Sequence, residues 1–123
     1  MSETLDRLQR ATLRLSQDGS IKDRLIDAYA THLIDLDAHE LPADLRGELE
    51  ELNAAMHREV PQPRESAIRA SVRKMSNQEA GQLAAMVVLM FTAMVRAEFG
   101  TVPAQRPARV ANSGPVVQLF AEA

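Results

Sequence analysis

Apolar residues return along this chain at steps of three and four, the period that aligns one face of an α-helix. Leu5, Leu8, Ala11, Thr12 and Leu15 predict an amphipathic helix over residues 3–17. Asp18-Gly19 ends it, glycine being the residue that most readily takes a left-handed C-cap. Ser20 follows as an N-cap, with Asp23 in the next first turn. Ile21, Leu25, Tyr29, Leu33 and Leu36 carry a second helix to about residue 40, where Leu41-Pro42 closes it. The same proline suits the first turn of a third helix, in which Leu45, Leu49, Leu52 and Met56 share a face. After the break Val60-Pro61-Gln62-Pro63, residues 64–75 predict a short helix with Ile68, Val72 and Met75 on one side. Ser71-Val72-Arg73 is also compatible with extended chain. Ser76-Asn77-Gln78-Glu79 has the spacing of a capping box and opens a helix that runs to Phe99, with Gly100 as its stop. The expectation is an all-α bundle of four to five helices over 1–100. A flexible tail over 101–123 follows, with Pro103, Pro107, Gly114 and Pro115 and little periodicity.

The last helix differs from the rest because it has no polar face. Leu83, Met86, Val87, Val88, Leu89, Met90, Phe91, Met94 and Val95 surround its axis. A helix apolar all round is expected to be buried all round. Either the first three helices wrap it, or one side is closed by a second copy or another partner. Gly81 and Ala85, with Ala80 and Ala84, permit close backbone approach. Met86, Met90 and Met94 step by four, and with Phe91 they are the candidates for a core or dimer interface, since flexible thioethers suit adaptable contacts. So much apolar surface on so small a bundle predicts a homodimer.

Composition narrows the picture mainly by exclusion. At 123 residues and 13.6 kDa the chain has room for one domain. Aromatics make up 3% and cysteine is absent. The first disfavours β-sandwiches and stacking platforms for single-stranded nucleic acid. The second removes disulfides, Cys-ligated metals and thiol nucleophiles. The start of the chain lacks the basic and then apolar pattern of a secretory signal. The longest apolar run, Leu83 to Val95, is interrupted only by Thr92 and is shorter than the roughly 20 residues that span a bilayer. A soluble, cytoplasmic protein is expected. Lys22 and Lys74 are the only lysines, which with abundant alanine suggests a GC-rich, bacterial coding source.

The net charge of -3 is unevenly spread. Residues 20–41 and 42–59 are each acidic on balance. Residues 60–75 hold Arg64, Arg69, Arg73 and Lys74 against Glu65 alone. Such a segment either pairs with the acidic helices beside it or offers a contact surface to an acidic partner or nucleic acid phosphates.

Catalytic patterns are sparse. His32, Asp35 and His39 fall on roughly one face of a continuous helix, without the tight spacing of established metal sites. The Arg-x4-6-His pair of HEPN-type ribonucleases is missing, Arg24 and His32 being too far apart. No phosphate loop, nucleophile elbow or His-Glu-x-x-His occurs. Glu79-Ala80-Gly81-Gln82-Leu83-Ala84 resembles the first helix of a helix-turn-helix, but the following residues continue apolar where a turn and a polar recognition helix belong. The tail's Gln118-Leu119-Phe120 resembles bacterial sliding-clamp-binding peptides, although Val116 stands where those place glutamine. Val117, Leu119 and Phe120 are therefore candidates for a docking peptide. The reading is of a non-enzymatic adaptor or regulator, homodimeric, acting through protein–protein contacts and needing no cofactor or metal. The alternative is a nucleic-acid-associated accessory protein using the basic 64–75 segment.

Overall fold

The computed structural model describes residues 2–100 of the chain. Val117, Leu119 and Phe120 lie outside the described residues. Five α-helices form a small all-α fold: α1 (Glu3–Leu15), α2 (Ile21–Ala28), α3 (Ala43–Met56), α4 (Ala67–Lys74) and α5 (Asn77–Phe99). The caps explain most of these boundaries. The hydroxyls of Ser2, Ser20, Ser66 and Ser76 each accept an N–H of the following first turn, which would otherwise lack a partner. Gly19 takes a φ of 106° in the α1–α2 turn, a region that residues bearing a Cβ rarely enter. Arg24 closes this turn by donating to the carbonyls of Leu15 and Gly19.

The second helix is shorter than its periodicity predicts. After Ala28 it widens into a π-turn over Tyr29–Leu33, closed by Ile34 N–H donating to the Tyr29 carbonyl at 3.0 Å. The chain then turns and makes only a short 3-10 segment, Ala38–Glu40. Two contacts outcompete the helix here. The Asp37 carboxylate accepts the His39 N–H at 2.9 Å, a local bond of the kind that diverts aspartate from helices. The Thr4 hydroxyl, buried on α1, donates to Glu40 at 2.6 Å. His32, Asp35 and His39 therefore do not share one helical face.

α5 packs against α1, α2 and α3, and its Leu83, Val87, Met90 and Met94 enter one apolar core. That core also takes Leu5 and Leu8 from α1, Leu25 and Tyr29 from the second helix, and Leu49 and Leu52 from α3. Tyr29 is fully buried, and its hydroxyl donates to the Asn53 side chain at 2.5 Å. Burial pushes its pKa up to about 12, because the phenolate would lose its hydration. By length and composition α5 could also cross a membrane: its 23 residues include a stretch of mean hydropathy 1.6. The thirteen-residue apolar run counted from the sequence understates the helix, because Ala80, Gly81 and the flanking residues extend it.

Candidate interaction surface

The expectation that α5 is buried all round fails in the protomer. Ala80, Leu83, Ala84, Val87, Met90 and Met94 form the inner stripe. On the opposite side Leu89 is 65% exposed, Val88 38% and Phe99 55%. Ala85 is exposed beside them and Thr92 is partly so. From Ala80 to Val95 no residue is charged. Thr92 adds little polarity, because its hydroxyl donates to the Val88 carbonyl at 3.0 Å. Three neighbouring helices cover one half of a helix circumference; the other half stays open.

A further exposed leucine lies on α1. The Ser2 hydroxyl donates to Glu98 at 2.8 Å, so α1, which packs on α5, runs antiparallel to it from that point. At 1.5 Å per residue in both helices, Leu13 comes level with the turn that carries Val88. Leu13 faces away from the buried stripe of α1 formed by Thr4, Leu5, Leu8, Ala11 and Leu15. It is 54% exposed. On α5 itself Val88 and Leu89 are exposed on the open side, and exposed Arg96 stands between them and Phe99.

Met90 and Met94 lie in the core, and Met86 and Phe91 are half-buried against it. The methionine stripe therefore faces the bundle, and the open stripe is offset from it around the helix. The small residues fare unequally as well: Ala80 and Ala84 are buried, whereas Ala85 lies on the open side and nothing stands within 4 Å of a Cβ placed on Gly81. Beside Met86, α3 and α5 leave a cleft of about 450 Å³ floored by Ala54, Ala55 and Leu83. One end is crossed by Arg58, which donates twice to Glu79, at 2.8 and 3.2 Å. The capping box is thus only half made. Glu79 supplies its N–H to Ser76, but its carboxylate turns to Arg58, whose hydrogen bonds hold it below the usual carboxylate range.

The basic segment is partly neutralised. Its helix is confined to α4, and the preceding turn runs from Gln62 to Glu65, with the Glu65 N–H donating to the Gln62 carbonyl. Arg64 sits in that turn with a φ of 66°, an unusual position for a residue with a side chain. Arg73 donates twice to Glu65, at 2.8 and 3.1 Å, and depresses the Glu65 pKa. Arg64, Arg69 and Lys74 are exposed and form no ion pair among the described residues. On α4, Lys74 points well away from the Arg69–Arg73 side.

Among the described residues no group of His, Asp and Glu is close enough to hold a metal ion. His32 lies in a polar notch with Glu3, Asp6, Arg7, Arg10 and Thr31. Burial, then Arg10 and Arg7, lower its pKa, so it is neutral at pH 7. No family model matches the chain, and no curated protein or solved structure is significantly similar to it.

Proposed function

We propose that this protein is a helical adaptor or regulator that works by binding other protein chains rather than by catalysis, with the open face of α5 as its contact surface. The observation that carries this reading is the uncharged outer stripe around Leu89, left uncovered by a bundle that has already closed its core. Apolar strips of this kind are where the hydrophobic effect offers a net gain to association. Self-association belongs to the same reading. Phosphate binding through residues 64–75 is the weaker reading, since Arg73 is engaged by Glu65 and Lys74 diverges from Arg69.

The test places a photo-cross-linking side chain at Leu89 in cells of the native host, with Arg10 as a control on the α1–α2 side. Discrete adducts at Leu89, lost when Val88→Glu is added, are expected. A Leu89 probe that gives no more than the Arg10 probe does would sink the reading.

A further inference from the structure

We infer that the notch between α1 and the π-turn binds the phosphate group of a small molecule, gripped by Arg7, Arg10, Thr31 and His32. This site is separate from the open face of α5. Glu3, Asp6, Arg7 and Arg10 follow one another at steps of three, one and three along α1, so they share one side of that helix. The π-turn sets Thr31 and His32 against them, around a cavity of about 330 Å³. A π-turn gives up the regular helical hydrogen-bond pattern, and such turns recur at functional sites.

The donors of this notch are largely unclaimed. Arg10 forms no ion pair among the described residues. Arg7 donates to Glu3 through Nε and Nη2, which leaves its Nη1 without a partner there. His39 is engaged by Asp37 and His57 by the Asn53 carbonyl, whereas the His32 ring has no hydrogen bond among the described residues. Its nitrogens are nonetheless open to solvent. A half-buried imidazole beside two guanidiniums stays neutral, and an anion set among the three lets it take a proton.

Two features select the ligand. Donors converging from α1 and from the π-turn suit the three outer oxygens of a phosphate monoester better than the two of a carboxylate. Glu3 and Asp6 line the same notch and oppose any anion. At the ring the arginines prevail: after burial, Arg10 and Arg7 are what depress the His32 pKa, and neither carboxylate raises it. Asp35, one turn on, lines the neighbouring hollow with Glu3 and Arg7, and α2 sends no charged side chain into the notch. Glu3 and Asp6 therefore repel an extended polyanion, such as a nucleic acid or an anionic bilayer, across more contacts than they repel one phosphate. The net effect favours a small ligand whose single phosphate reaches past them.

The test follows the imidazole signals of the full chain by NMR at constant ionic strength, with exposed His39 and His57 as internal controls. Inorganic phosphate at about pH 7.5 should shift His32 saturably, with a dissociation constant on the order of millimolar, and leave the controls almost unmoved. Sulfate keeps one charge state near neutral pH, so it isolates the imidazole. His32 should titrate below the ordinary 6.5 in the free protein and above it in saturating sulfate. Sulfate affinity should therefore rise as the pH falls through that value, and His32→Asn should abolish the rise. Arg10→Gln should weaken phosphate binding about tenfold, while Arg69→Gln, at another exposed arginine without an ion pair, should not change it. A His32 shift no larger than those of His39 and His57 overturns the inference, as does an Arg10→Gln variant that binds phosphate as tightly as the parent. A short DNA duplex, or vesicles of phosphatidylglycerol, that moved His32 at a lower phosphate concentration would overturn the assignment to a small molecule.

Discussion

The inner and outer faces of α5 are built from the same kinds of residue and meet opposite surroundings. Inside, Leu83, Val87, Met90 and Met94 have neighbours from α1, α2 and α3 on every side. Outside, Val88 and Leu89 belong to the same turns and face away. Hydrophobicity therefore sets how much surface wants cover, while the placement of the neighbouring helices decides which half obtains it within one chain. A bundle this small has too few elements to surround a helix 23 residues long.

Substituting across the two faces gives the largest contrast. Met90→Ala should cost about 2–5 kcal/mol, the range for emptying a close-packed site. Leu89→Ala should change the protomer's stability by no more than about 0.5 kcal/mol. Denaturant unfolding of both variants at a concentration below self-association measures the difference; equal losses would erase the distinction between the faces.

Alkali probes the inner side through Tyr29, the only tyrosine in a chain without tryptophan. Its folded pKa of about 12 stands above the ordinary 10.0. The neutral phenol's contribution is fully present below pH 10, and it is lost as pH rises towards 12. Ultraviolet titration should show tyrosinate appearing only near the upper value while the protein is folded. Ionisation at the ordinary value would mean the inner side is wet.

Ser76→Ala removes the cap from which both faces of α5 start and should cost about 1 kcal/mol, with thermal unfolding as the readout. The smallest effect is expected far from either face. Arg64→Gly relieves a left-handed residue and should raise stability by a few tenths to about 1 kcal/mol, the gain being offset by glycine's greater freedom when unfolded. A loss on that substitution would show that the Arg64 side chain makes a contact that offsets its backbone.

Local signals made much of this fold legible. The serine caps of α2 and α5 and the periodic leucines of α1 and α3 specify those elements from neighbouring residues alone. The end of the second helix was hidden because its cause is partly remote: Thr4 reaches Glu40 across 36 positions, and the stripe through Leu36 gives no sign of that competitor. The candidate surface was only half legible. A helix apolar all round has no phase, so the methionine spacing could not say which side meets α1, α2 and α3. Which residue of the basic segment is paired was hidden for a similar reason, since Glu65 and Arg73 are eight residues apart and join only once the turn at Arg64 brings them together.

The hydrogen bond from Ser2 to Glu98 has a topological consequence. The bundle's first and last turns lie side by side, so the chain enters and leaves at one end. A fold arranged in this way can be spliced into a surface loop of a host protein without prising the loop apart. It can also be circularly permuted by a short bridge from Gly100 to Ser2, with new ends opened at Pro61-Gln62-Pro63.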